Sequence, residues 1–145
     1  MHTAQFYDVS VHWTTGRKGM LDSPALNNII EVATPPGFDK GVPGIWSPEH
    51  LLVAAVNSCL MTTFLAIADN SKFLFKHFDC HATGKLEKVD GKYMISEITL
   101  NPVVKIEDGS TEAKALLLLR KSEAACLISN SVKARIIFNP MVEPG

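Results

Sequence analysis

Hydrophobic positions along the chain change period several times, and each change marks an element. From Ala4 to Trp13 apolar and polar residues alternate through Tyr7, Val9, Val11 and Trp13, the period of a half-buried strand. Thr14 to Gly19 reads as a turn, and two short strands follow at Met20 to Asp22 and Ile29 to Ala33, separated by Ser23-Pro24 and Asn27-Asn28. Together they predict an antiparallel meander. Between Thr34 and Trp46 the residues Pro35, Pro36, Gly37, Gly41, Pro43 and Gly44 break every regular period, so a long loop is expected. Loops of that length in compact domains are often functional.

The alternation then gives way to an apolar run. Ser47 suits an N-cap, Pro48 the first helical position, and Glu49 the positive end of the helix dipole. From Leu51 to Ala68 apolar residues occur on nearly every face, which predicts a helix from Pro48 to Asp69 buried inside a protein layer. The run has about the length of a membrane span. Asn57, Ser58, Thr62, Thr63 and several alanines lower its hydrophobicity, so it reads as a core helix. Asn70-Ser71-Lys72 makes a break, Phe73 to Val89 leads into a strand, and Asp90-Gly91 is a two-residue hairpin signal. That turn pairs Val89 with Lys92, Glu87 with Met94 and Lys85 with Ser96. Pro102 in the return strand, Tyr93 to Ile106, suggests an edge or an irregularity. A second helix, capped by Ser110 or Thr111, is expected from Glu112 to Cys126 or Leu127, with Ala113, Leu116, Leu117, Leu119 and Ala124 making apolar contacts. A last strand covers Lys133 to Asn139. The order βββ, α, ββ, α, β predicts one α+β domain over residues 1–145, with two helices on antiparallel sheet.

Composition narrows the partners. In 145 residues, 14 basic and 15 acidic groups leave a net charge of −1, which argues against nucleic acid or an anionic membrane held by a broad basic field. The start of the chain, Met1 to Gln5, has no basic segment followed by an apolar run, so a cytoplasmic location is expected. Cys59, Cys80 and Cys126 are an odd number, unlike a secreted disulfide framework. Any disulfide among them is expected to be transient and chemical.

A free cysteine in an apolar element usually behaves as a small hydrophobe, and Cys80 takes that reading. The three cysteines lack the short spacing of a structural zinc site. Cys59 and Cys126 differ from Cys80, because packing the two helices together could bring their thiols into contact. A reactive member must be a thiolate, which burial disfavours, so a neighbouring cation is expected. The arginines are Arg17, Arg120 and Arg135. Arg120 and Arg135 read as solvated charges. Arg17 lies in a turn from which it could reach across a sheet end, and Glu49 could orient it.

Ser47-Pro48-Glu49-His50-Leu51-Leu52 followed by Ala54-Ala55-Val56-Asn57-Ser58-Cys59 resembles the first cysteine motif of the OsmC/Ohr family of hydroperoxide-reducing proteins, and Cys126-Leu127-Ile128-Ser129-Asn130 resembles the second. Thr14 to Gly19 resembles the arginine-bearing turn of the organic hydroperoxide resistance branch, whereas Val32-Ala33-Thr34-Pro35-Pro36 is similar to the broader OsmC-like branch. No arginine occurs between Arg17 and Arg120, so the loop before the central helix cannot donate one. The resemblance implies an OsmC-like α+β fold, an intertwined homodimer with sites formed by both subunits, and a thiol peroxidase that uses no metal or cofactor. Cys59 would be the nucleophile and pass through a sulfenic acid, and Cys126 would resolve it as a Cys59–Cys126 disulfide. Arg17 would hold thiolate and peroxide, with Glu49 fixing the guanidinium. The partners implied are an organic hydroperoxide and an external dithiol or thiol reductant, with Leu52, Val56 and Phe64 suiting an organic substrate. The competing reading is a non-enzymatic ligand-binding or scaffold protein of the same fold, with unreactive packing cysteines.

Overall fold

Strand structure begins at Ser10 rather than Ala4 in the computed structural model of the chain, which describes residues 3–145. The expectation about the first residues rests partly on Met1 and His2, which lie outside the described residues. The chain divides into two compact units, Met1–Leu51 and Leu52–Gly145.

In the first unit β1 (Ser10–Thr15), β2 (Lys18–Asp22) and β3 (Ile30–Ala33) form the antiparallel meander that the sequence predicts. The first turn is tighter than expected: Thr15 pairs with Lys18, and Gly16 takes the left-handed φ of +53°. Trp13 Nε1 donates to Gly16 O at 3.0 Å, and Thr34 N donates to Arg17 O at 3.2 Å. Both faces of β1 are exposed, including Val11 and Trp13, so the alternation marks a strand without a covering layer in the single chain. The Pro- and Gly-rich loop closes on itself through Val42 N to Thr34 O at 2.8 Å, and Ala33 N donates to Trp46 O at 2.8 Å.

Helix α1 (Pro48–Asn70) starts where the sequence places it. Ser47 is the N-cap: its Oγ accepts from His50 N at 3.1 Å and its carbonyl accepts from Leu51 N at 2.9 Å. Its wholly buried character does not hold in the chain. Only the stripe Val56, Cys59, Leu60, Phe64 and Ala68 is buried, while Leu52, Met61 and Leu65 are exposed. By length and a mean hydropathy of 2.0 the helix could cross a membrane, yet that stripe packs into a protein core.

The second unit carries a mixed sheet where an antiparallel one was expected. The hairpin β4 (His77–Val89) and β5 (Lys92–Ile106) turns at Asp90-Gly91, both at positive φ, and pairs Val89 with Lys92 and Glu87 with Met94. A bulge after Lys85 shifts the register, so Lys85 faces Glu97 instead of Ser96. On its other side β5 pairs in parallel with β6 (Arg135–Phe138) along Glu97 to Leu100 and with β7 (Met141–Pro144) along Val103 to Ile106. Thus β5 is central, not an edge. Pro102, which has no amide hydrogen, stands between the stretches paired with β6 and β7, where neither strand needs its donor. Strand β7 was not read from the sequence.

Helix α2 (Glu112–Ala125) follows a 3₁₀ turn at Gly109–Thr111. Thr111 stands at the N-cap of α2, as expected, but without a side-chain hydrogen bond, and Asp108 caps the preceding 3₁₀ turn by accepting from Ser110 N at 2.8 Å. The buried face of α2 is Ala115, Leu118, Leu119 and Ser122, so of the apolar contacts expected only Leu119 is fully buried. Of these, Ala115, Leu118 and Leu119 join Phe64, Ala68, Val104 and Ile106 in one core cluster, while Val56, Leu60, Ile98 and Leu100 form a second one beneath α1. Every second residue of β5 from Ile98 to Ile106 is buried, which is how one strand serves both clusters.

The approach of α1 to β4 depends on Gly84. A Cβ there would stand 2.5 Å from Val53 Cγ2, and valine is too stiff at χ1 to yield cheaply. Gly84→Ala is expected to destabilise the fold by about 1–3 kcal/mol in urea unfolding. Adding Val53→Ala should cost less than the two single changes summed, because the second change removes the clash. Strict additivity would show that the contact is relaxed.

Candidate active site

Cys59 and Cys126 meet through two elements that end differently. Cys59 lies on the buried stripe of α1, one turn before Thr63, whose Oγ1 is 3.8 Å from its sulfur. Cys126 is the residue at which α2 stops: its N–H still reaches Glu123 O at 3.3 Å, but its ψ of 108° turns the chain out of the helix. The next residues fold into a short helical turn, closed by Asn130 N to Cys126 O at 3.1 Å, Ser131 N to Ile128 O at 2.9 Å and Ser131 Oγ to Leu127 O at 2.7 Å. Ile128 packs against the cluster containing Val56 and Leu60, which seats this turn on α1.

Because Leu127, Ile128 and Ser129 begin a turn, their amides have no partners within it and are free to point at sulfur. Burial is the largest influence on Cys59 and pushes its pKa up. Against it act the Ile128 N–H, the Cys126 thiol, the Thr63 hydroxyl and the Leu127 N–H, and together they hold Cys59 below the ordinary thiol value. Cys126 shifts the other way. Burial raises it, the Ser129 hydroxyl and N–H work against that, and the neighbouring Cys59 raises it further. The pair is therefore polarised, with charge favoured on Cys59 and the proton on Cys126. Exposure follows the same asymmetry: Cys59 is 8% exposed and Cys126 fully buried. Both thiols are free, as is that of Cys80. In Cys80 burial pushes the thiol up to about 11, with only the Asn101 N–H acting against it.

The sequence reading asks for a cation beside Cys59, whereas the second unit supplies neutral donors. Thr63 could have been found from its position one helical turn after Cys59, and Ser129 from its place three residues after Cys126. The backbone amides carry no residue-type signal. Of the apolar residues expected to suit a substrate, Val56 and Phe64 are fully buried core residues, which leaves Leu52 exposed.

Arg17 and Glu49 belong to the first unit. Arg17 is exposed in the β1–β2 turn and lines a cavity of about 390 Å³ with Lys18, Lys40 and Val42. Glu49 is half-buried in the first turn of α1. Among the described residues of this unit Lys18 pairs with Glu31 at 3.7 Å, His12 Nε2 lies 3.4 Å from Asp22, and no ion pair joins Arg17 to Glu49.

Residues 40–140 match the family of OsmC-like proteins. No curated protein sequence matches the chain. Among solved structures it is similar to an OsmC-like protein of unknown function from Vibrio cholerae, at a TM-score of 0.84 and 22% identity over 95% of this chain and 100% of that one. An organic hydroperoxide resistance protein from Elizabethkingia anophelis, with crystallant-derived thiocyanate bound, aligns at 0.78 and 22% over the whole of both chains. The organic hydroperoxide resistance protein OsmC from Legionella pneumophila aligns at 0.73 and 18%, covering 97% of this chain and 98% of that one. At these identities the likeness establishes the fold.

The donors around Cys59 make its titration measurable apart from any activity. Alkylation by iodoacetamide, followed against pH with each cysteine resolved by mass spectrometry, should label Cys59 with a midpoint below about 8.5, the ordinary thiol value, and well before Cys80. Thr63→Val removes one donor to the thiolate, so the Cys59 midpoint should move to higher pH. A wild-type midpoint at or above the ordinary value would contradict the polarised pair.

Proposed function

The chain belongs to the OsmC-like protein family, which includes organic hydroperoxide resistance proteins, and on that premise we propose that it is a two-cysteine peroxidase for organic hydroperoxides. The observation that carries this reading is the polarised pair: a slightly exposed thiol held below its ordinary pKa beside a buried thiol held above it. A peroxidase needs this division. The first sulfur must meet substrate as a thiolate, and the second must keep its proton until the first is oxidised.

In the proposed cycle the Cys59 thiolate attacks one oxygen of the hydroperoxide. The O–O bond breaks, the alcohol leaves with a proton, and Cys59 becomes a sulfenic acid. Cys126 then attacks the Cys59 sulfur, hydroxide departs and is protonated to water, and a disulfide joins the two residues. An external dithiol or thiol returns both to thiols by exchange. Arg17 is proposed to bind the peroxide oxygens and the thiolate, with Glu49 orienting it. Neutral donors already favour the Cys59 thiolate, so the arginine's distinctive contribution is to the charge that develops on the departing oxygen.

We further propose a homodimer. Trp13 and Val11 on β1, and Leu52, Met61 and Leu65 on α1, are large apolar side chains exposed in the single chain, and a second copy would cover them. We also propose a cytoplasmic location, which the odd cysteine count, unlike a secreted disulfide framework, supports. One domain spanning both compact units is the simplest reading of a family match that crosses from one into the other.

Steady-state and stopped-flow assays with an organic hydroperoxide and a dithiol test the roles. Cys59→Ser should abolish turnover. Cys126→Ser should consume one equivalent of peroxide and stop at a sulfenic acid that overoxidises readily. Arg17→Ala should slow the peroxide step about ten- to a hundredfold, the range for losing hydrogen bonds to a charged group, with the fold intact. Turnover by Cys59→Ser would refute the peroxidase reading, and an unchanged peroxide step in Arg17→Ala would remove that residue from the site.

A further inference from the structure

The turn after α2 contains a hydroxyl that the resting structure leaves unused. Ser129 is 8% exposed, and its Oγ is buried without a hydrogen-bond partner of ordinary geometry among the described residues. A buried hydroxyl normally finds a partner, because leaving one unmade carries the full cost of desolvation. Its position is fixed by the backbone: Ser129 opens the 3₁₀ turn Ser129–Ser131, three residues after Cys126, and the bond from Asn130 N to Cys126 O closes that turn around the cysteine. The other serine of the turn differs, since Ser131 Oγ is spent on Leu127 O at 2.7 Å.

We propose that Ser129 is the positioning residue for the resolving half of the reaction, with its hydroxyl held in reserve to donate to the Cys126 sulfur when that sulfur loses its proton to attack Cys59. This deepens the peroxidase reading and rests on it. The thiol of the resting enzyme is a weak acceptor and leaves Ser129 unsatisfied. The thiolate is a strong one, and its appearance recovers the cost of the buried hydroxyl. Of the groups around Cys126, the Ser129 hydroxyl and N–H are the ones that favour an ionised sulfur against burial. The two oxidation states of Cys59 give the device its timing. While Cys59 is a thiolate its charge opposes a second charge on Cys126, and once it is a neutral sulfenic acid that opposition is gone. Cys126 can then ionise toward Ser129, attack the Cys59 sulfur and form the S–S bond. Hydroxide leaves from Cys59 and takes up the proton that Cys126 gave up, so the step releases one water. Organic hydroperoxide is the only oxidant needed, and a dithiol restores the pair.

One turn of chain thus serves both sulfurs in sequence. The Leu127 and Ile128 amides favour charge on Cys59, and the Ser129 donors favour it on Cys126.

Rapid-mixing measurements on the full chain separate the two steps, with loss of peroxide reporting the first and dimedone trapping of the sulfenic acid, set against disulfide formation, reporting the second. Ser129→Ala should leave the peroxide step unchanged and slow disulfide formation about ten- to a hundredfold, the consequence of losing one hydrogen bond to a charged acceptor. The sulfenic acid should then accumulate and overoxidise at lower peroxide concentration than in wild type. Ser129→Thr, which restores a hydroxyl, should recover much of the rate, and a purely structural role would not separate the steps in this way. Disulfide formation at the wild-type rate in Ser129→Ala, or equal slowing of both steps with no recovery in Ser129→Thr, overturns the proposal. A wild-type chain that forms no Cys59 sulfenic acid would instead refute the peroxidase reading itself.

Discussion

A thiolate inside a protein survives only where donors replace the water it has lost, and the seating of the turn Cys126–Ser131 on the buried stripe of α1 meets that condition. Ile128 packs with Val56 and Leu60, and the same packing delivers the Leu127 and Ile128 amides to Cys59. Hydrogen bonds to a charged group contribute about 1.5–3 kcal/mol each. Several together oppose the penalty of burying the sulfur, and they favour a Cys59 pKa below the ordinary thiol value. A change that unseats Ile128 would act on the chemistry as well as on the core.

The constraint also explains the ends of the helices. Helix α1 continues past Cys59 for more than two further turns, so Thr63 can stand one turn beyond the sulfur. Helix α2 stops at Ala125, where Cys126 leaves helical geometry with ψ of 108°, whereas a regular helix through Cys126 would bond the amides of Leu127 and Ile128 to its own carbonyls. Ending the helix there releases them. Beneath both helices β5 alternates buried residues from Ile98 to Ile106 and serves two clusters, which ties the position of α2 to that of α1 through a single strand.

Much of this was legible in the sequence, for reasons that can be named. Ser47-Pro48 is local capping chemistry and marked the start of α1; Asp90-Gly91 requires positive φ and marked the hairpin. What local chemistry does not encode was missed. The bulge after Lys85 is a property of the pair β4–β5, and it moved Lys85 from Ser96 to Glu97. Strands β6 and β7 run parallel to β5, a pairing set by long-range packing, and of the edge or irregularity that Pro102 suggests they leave the irregularity, a gap between the two paired stretches. Leucines occur on several sides of α2, and only tertiary contact selects Ala115, Leu118, Leu119 and Ser122 as its buried face. At the site, residue identity pointed to Cys59 and Cys126. It could not reveal the Leu127 and Ile128 amides, which favour charge on Cys59.

The central claim is that the two cysteines act as a pair with distinct parts. The most direct measurement adds one equivalent of an organic hydroperoxide to the fully reduced chain, then combines intact mass with peptide mapping before any reductant is present. Pairing predicts that each chain loses two hydrogens and contains one new disulfide, between Cys59 and Cys126, with Cys80 still a free thiol. Unchanged thiols, or a disulfide that includes Cys80, would contradict it.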